Sequence, residues 1–376
     1  MNESSVRAGL ATLGLLGWLS VSVAGCGGGT GSGGASDSLY IGVAAAVAAN
    51  TDVYFNGVTL ALEHLNADRT GGTRPLGLRR PPEDQPSQVA VAAAFRDDPG
   101  VIGVVGHTGS GQTMEAAPIY GDVEQNGARA LLAVSPTATN PAVTIASPWV
   151  FRVCPTDPDG ARALAAYVAD SLGARQAQVI YRNDLFGRGF LRTFRLTFQQ
   201  AGGTVVDRFP YLAGLTEYAA YAGVIARDGT PAVLFAGGAA DALDLLRALR
   251  AVGAQPTILG TDDVAGLQGM AEAAGVRYLS FYQPGGLGTD AEERFLTAYR
   301  ERFGADPDHR AALAYDAAML IGQAAHSVGP DRARIRDAVA RIGRQDPAYQ
   351  GATGAIAFDD NGDVVDKPIF IAEVRP

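Results

Sequence analysis

VIGVVGHTGSGQT, residues 101–113, joins an apolar run to a cluster of glycines and hydroxyls. Its first five residues are nearly continuous in apolar, largely β-branched character, the pattern of a strand buried on both faces of a parallel sheet. Gly106 then opens a turn, and Ala116 and Ala117 carry a helical pattern toward Tyr120. A strand that hands a polar loop to a helix start leaves backbone N–H groups free beside the hydroxyls of Thr108, Ser110 and Thr113. That setting favours an anionic group such as a carboxylate or phosphate.

The same punctuation recurs outward from this corner. Residues 39–44 read as a first strand, and Phe55, Val58, Leu62 and Leu65 follow at helical spacing. Residues 75–80 form a short candidate strand before the PPEDQP turn, and 88–95 a helix. The next strand, 130–134, stops at SPTATN, 135–140. A helix is expected at 161–172, and further strands at 150–153, 178–181, 204–209, 232–236, 257–259 and 278–282. Small or polar turns follow several of them: NDLFG at 183–187, GGAAD at 237–241, GTDD at 260–263. Polar loops at neighbouring parallel strand ends lie side by side, where open α/β sheets bind ligands. After residue 290 the texture turns helical, and 354–374 reads as paired strands around an Asn361–Gly362 turn. Because the strand–helix rhythm occurs twice, before and after residue 153, two α/β lobes are the economical expectation.

A chain of 376 residues suits two such bodies, and 47% hydrophobic against 18% charged residues leaves ample material to bury. Thirty Lys and Arg stand against 39 Asp and Glu, with no basic run of five, which argues against a nucleic-acid partner. At the N-terminus Arg7 precedes an uncharged, largely apolar stretch, 8–23, of signal-peptide rather than membrane-spanning length. Val23-Ala24-Gly25-Cys26 resembles a bacterial lipobox, in which cleavage precedes a cysteine that then carries lipid. Residues 1–25 are therefore expected to be removed and Cys26 to be lipidated. GGGTGSGGASDS, 27–38, would act as a tether with a reach of roughly 20 Å. The expected location is the outer face of the cell membrane or the periplasm. Only Cys154 then remains in the folded part, with no internal disulfide and no histidine near it in sequence.

Several chemistries fail on residue type. Residues 106–113 match the spacing of a phosphate-binding loop, but Gln112 stands at the lysine position. Ser110 is flanked by Gly109 and Gly111, yet Thr108 and Gln112 break the nucleophile-elbow pattern, and His64, His107, His309 and His326 offer no recognisable triad. No zinc spacing is present. Asp359 to Asp363 has calcium-loop composition, but Ala357 and Pro368 occupy the first and last ligand positions, so a hairpin turn is the better account. What remains is binding without catalysis or cofactor. Ser110, Thr137 and Thr139 can receive a carboxylate, Asp262 or Asp263 an ammonium, and Phe186 can cover an apolar side chain.

IGV at 41–43, LEHLNA at 62–67, VVGH with Ser110, APIY at 117–120, SPTATNP at 135–141, FRVCPTD at 151–157, FGRG at 186–189, LGTD at 259–262, ALAYDA at 312–317 and FDDNGD at 358–363 occur in order. Together they resemble the leucine/isoleucine/valine-binding proteins. That resemblance spans 39–374 and implies an α/β, type I periplasmic binding fold: two doubly wound lobes joined by three hinge crossovers. The crossovers would fall near 153–157, 283–284 and 349–351. Lobe one would comprise 39–153 with 285–348, and lobe two 154–284 with 349–376. It further implies a monomeric receptor that serves an ABC permease and ATPase by closing on a zwitterionic amino acid. By resemblance Ser110, Thr137 and Thr139 hold the carboxylate, Asp262 is the acidic ammonium partner, and Phe186 caps the ligand. Two positions depart from the family. Ala239 and Asn50 stand where aromatics are common, which leaves room that Tyr54 and Phe55 can refill and opens the side-chain preference. A sensor of the same fold, or a binder of an amide, urea or aromatic acid, remains open.

Overall fold

The computed structural model describes residues 38–45, 52–82 and 87–376. The expected signal peptide, Cys26, the tether up to Asp37, Asn50 and most of the PPEDQP turn lie outside the described residues. In the first half, β1 (Leu39–Ala44), α1 (Asp52–Ala67), β2 (Leu76–Arg79), α2 (Gln88–Asp97), β3 (Val101–Gly106), α3 (Ser110–Tyr120), β4 (Ala133–Ser135), α4 (Ala142–Ile145) and β5 (Val150–Arg152) alternate. The alternation continues through α5 (Asp157–Ala166), β6 (Gln176–Arg182), α6 (Leu185–Gln200), β7 (Thr204–Tyr211), α7 (Ala219–Asp228), β8 (Ala232–Ala236), α8 (Ala239–Ala251), β9 (Thr257–Gly260) and β10 (Arg277–Ser280). Three helices, α9 (Asp290–Phe303), α10 (His309–Val328) and α11 (Arg332–Ala340), then precede the short strands β11 (Tyr349–Gly351), β12 (Gly354–Ile356) and β13 (Phe370–Glu373).

Two sheets organise the molecule. The first is parallel, in the order β2-β1-β3-β4-β5; the second runs β13-β10-β9-β8-β6-β7, with only the β13 edge antiparallel. Buried apolar side chains lie on both faces of each, which is why these strands read as continuous apolar runs. One face of the first sheet buries Ile41, Val43, Ile102 and Val105 against Leu313, Ala317 and Ile321 of α10. The other buries Val101 and Val104 against Ala116, Ala117 and Tyr120. Gly103, the one gap in the β3 run, is where α10 comes closest: a Cβ there would lie 2.7 Å from an Ile321 methyl. Gly106 ends the strand at φ +142°, a backbone state that side chains rarely adopt. The helices after residue 290 thus complete the first lobe, although the second sheet precedes them in the chain.

The differences from expectation lie at edges and ends. The apolar run at 130–134 yields only a short strand from Ala133. Leu131 donates its N–H to Tyr120 rather than to a neighbouring strand, so burial there exceeds the ladder. The helix expected at 161–172 begins at Asp157, where Thr156 and Asp159 form a capping box, and its last turn, Tyr167–Ser171, is widened. The paired strands expected around Asn361–Gly362 reduce to one bridge between Phe358 and Val364, and Phe370–Glu373 pairs with β10 instead. The tail expected in lobe two from residue 349 is also divided. Ala352, Ile356, Phe358 and Val364 are buried with the first sheet's core, and only the stretch reaching β13 joins the second sheet. Asp363 helps hold that tail, pairing at 2.7 Å with the fully buried Arg152 and accepting from Thr144 at 2.6 Å. Among the described residues no helix is long and apolar enough to cross a membrane.

Candidate ligand-binding site

Loops at the carboxyl ends of the parallel strands converge where the two sheets face each other. Tyr54 opens α1 after β1, Thr108 follows β3, and Thr137 follows β4; Asp262, Asp263, Ala265 and Gly266 follow β9, and His309 and Arg310 start α10. These residues enclose a cavity of about 130 Å³. Of the residues singled out in sequence, Tyr54, Thr108, Thr137, Asp262 and its alternative Asp263 line it. His309 and Arg310 join them.

The hydroxyls are already committed to a framework. Thr137 donates to the Thr108 carbonyl at 2.7 Å, and its oxygen lies 3.1 Å from the Tyr54 hydroxyl. Ser110 accepts the Asn140 N–H at 3.2 Å, which ties the start of α3 to the SPTATN loop rather than to the cavity wall. Thr139 is likewise outside the lining; its hydroxyl bonds the buried Asp157 carboxylate, and its carbonyl accepts the Asp157 N–H at 2.8 Å. Phe186 lies half-buried on the second lobe, its ring 5.8 Å from Phe190 and under the Arg182 guanidinium at 5.0 Å. It packs beside the lobe-two core and does not line the cavity. Ala239 opens α8 and is also outside the lining, but its methyl would lie 3.1 Å from a Cβ on Gly266, so it backs the wall.

Acidic charge dominates the lobe-two wall. Crowding by protein, then the neighbouring charges of Asp263 and Asp157, pushes the Asp262 carboxyl well above the ordinary carboxylate range. Asp263 is raised by the same crowding and held back by Arg182 and Arg310, although its side chain keeps an open face on the cleft. Burial lifts Asp157 to about 6, against its hydrogen bond from Thr139 and the charge of Arg152. Neither Asp262 nor Asp263 has an ion-pair partner within 4 Å among the described residues. Arg182 pairs with Asp184 at 2.5 Å, and Arg310 with Asp308 at 2.5 Å. Like carboxylates gathered without a cation of their own are stabilised by an arriving ammonium. Burial lowers His309 to about 4, so its ring is neutral, and pushes the Cys154 thiol up to about 12, which removes it as a nucleophile.

Arg310 carries the weakest signal in the sequence. Its only local signal is Asp308, which caps α10 through the N–H groups of Arg310 and Ala311 and aligns the guanidinium at 2.7 Å. Thr108 and Asp263 are legible in the sequence as polar strand-end residues, Asp263 as the alternative to Asp262.

The Leu/Ile/Val-binding protein homolog 1 of Brucella abortus is 24% identical over 283 residues, covering 74% of this chain and 73% of that protein. An ABC transporter substrate-binding protein from Desulfitobacterium hafniense, solved with Leu, superposes with a TM-score of 0.77 at 26% identity, over 90% of this chain and 98% of that one. A solute-binding protein from R. palustris, solved with benzoate, superposes at 0.73 with 17% identity over 90% and 93%, and shares the fold. The family model described as periplasmic binding protein matches residues 42–376. With nearly the whole folded chain inside that match and a two-lobed architecture around a cleft, the protein belongs to the periplasmic binding protein family, whose members bind rather than catalyse.

Proposed function

We propose that this chain is the solute receptor of an ABC importer and that it closes its two lobes on the head group of a zwitterionic amino acid. The observation that carries the reading is the acidic wall: Asp262 and Asp263 face a polar cavity without an ion-pair partner among the described residues. An ammonium satisfies that wall; an aromatic acid, which brings only a further negative charge, does not. Tyr54, Thr108 and Thr137 form the opposite wall, so the ligand bridges both lobes and favours the closed state, which a permease would read. In this reading Ser110 and Thr139 act at one remove, bracing the loops that present Thr108 and Thr137. Ala239 also acts at one remove, backing the wall behind Gly266, and Phe186 covers the ligand as the lobes close. Cys26 carries the lipid, and the glycine-rich tether lets the receptor reach its permease from the outer membrane face or within the periplasm.

A melting-temperature screen of the full-length chain against amino acids, amides, urea and benzoate tests this. A ligand present at a hundredfold excess over its dissociation constant stabilises the folded state by roughly 2.7 kcal/mol. The expected result is a rise with at least one amino acid that Asp262→Ala abolishes. A rise given only by ligands without an ammonium group would refute the amino-acid reading.

A further inference from the structure

Ala265, Gly266, His309 and Arg310 line both the inner cavity and an adjoining second chamber of about 740 Å³, which is bounded by both lobes and by the crossing at Tyr282 to Pro284. The inner cavity alone falls below the range of roughly 300–1,000 Å³ that ligand sites usually offer, whereas the two spaces joined fall within it. On the lobe-two side that shared boundary consists of Ala265 and Gly266, whose side chains are no larger than a methyl group.

The chamber also holds what the inner cavity lacks. Three arginines line it. Arg300 pairs with Asp306 at 2.6 Å and Arg310 with Asp308, and Glu373 lines the chamber too, but the solvent-exposed Arg375 has no ion-pair partner among the described residues. Tyr282 is 2% exposed, and its hydroxyl has no hydrogen-bond partner. A buried hydroxyl left unpaired calls for a missing partner. Tyr278 stands beside them, its phenol within electrostatic reach of Arg310 and Arg375. In the inner cavity, by contrast, Thr137 already spends its proton on Thr108, and Arg310 is already neutralised. The inner wall therefore offers an ammonium a strong partner and a carboxylate a weak one, while the unpaired cation lies in the outer chamber.

We propose that the chamber is the outer half of one extended ligand site and that the ligand is a dipeptide, with its ammonium at Asp262 and Asp263 and its carboxylate beside Arg375. The peptide carbonyl, which carries no net charge, then lies at the Thr108 and Thr137 wall, and the second residue fills the chamber. The proposal rests on the ammonium reading of the inner cavity.

Calorimetric titration of the full-length chain with leucine, serine and lysine, and with leucyl-, seryl- and lysyl-glycine, separates the two. The expected result is that at least one dipeptide binds about tenfold or more tightly than its free amino acid. Arg375→Ala and Tyr282→Phe, checked for unchanged melting temperature, should each weaken that dipeptide about fivefold and leave any free amino acid unaffected. Equal or tighter binding of every free amino acid, binding of none of the six probes, or indifference of the dipeptide to both variants overturns the extended site. Loss of the ammonium reading itself shows differently, as dipeptide or amino-acid binding that survives Asp262→Ala.

Discussion

Three carboxylates and three hydroxyls divide the work at the residue scale. The hydroxyls of Thr137, Ser110 and Thr139 hold loops together, and the carboxylates of Asp157, Asp262 and Asp263 hold charge that the empty site disfavours. All three acids have folded-state values above the ordinary carboxylate range, so without ligand the site retains protons at pH values where free carboxylates have lost them. A bound ammonium favours the ionised forms and lowers those values, so binding releases protons. Affinity for a ligand bearing an ammonium should therefore strengthen as pH rises above the ordinary carboxylate range, through the raised values at which these acids ionise. Titrations in buffers of different ionisation enthalpy should show net proton release at the lower pH. Flat affinity and no proton release would mean that these acids do not meet the ligand's charge. Residue types made Asp262 and Thr137 legible in the sequence. Arg310 was not, because its place in the site depends on a chain crossing that returns α10 to the first sheet from far along the sequence.

Elements were most legible where burial is local. Residues 39–44 and 232–236 form strands with those bounds because an apolar run between polar turns has few alternatives in a parallel sheet. The tail was least legible, since its strands choose partners far away in sequence: Phe370–Glu373 pairs with β10, and Tyr349–Gly351 with Gly354–Ile356. One buried network fixes the tail against α10. Asp316 accepts the N–H groups of Ala352 and Thr353 at 2.8 and 2.9 Å, and Lys367 donates to the Thr353 carbonyl at 2.8 Å. Burial, opposed by the Asp316 charge, lowers Lys367 to about 8. Removing the carboxylate strands two buried donors and a buried ammonium. Asp316→Ala should thus cost roughly 3–5 kcal/mol in chemical denaturation. A loss below about 1 kcal/mol would show that the network adds little to the tail's docking.

Across the whole molecule, two sheets with similar ends face one cleft, and the chain that joins them passes beside it. Ligand contacts to Tyr54, Thr108 and Thr137 on one side and to Asp262 and Asp263 on the other give the closed arrangement an advantage that neither lobe has alone. The paired lobes were legible from the repeated strand–helix rhythm. The return of α9–α11 to the first lobe was not legible from that rhythm, and came only with the resemblance of the ordered motifs. A crystal structure of the full-length chain with the amino acid or dipeptide that most raises its melting temperature tests the central claim most directly. The account predicts the ligand's ammonium within about 3 Å of the Asp262 or Asp263 carboxylate, with the same ligand touching Thr108 or Thr137. A ligand whose ammonium points away from both acids, or which touches only one lobe, would contradict it.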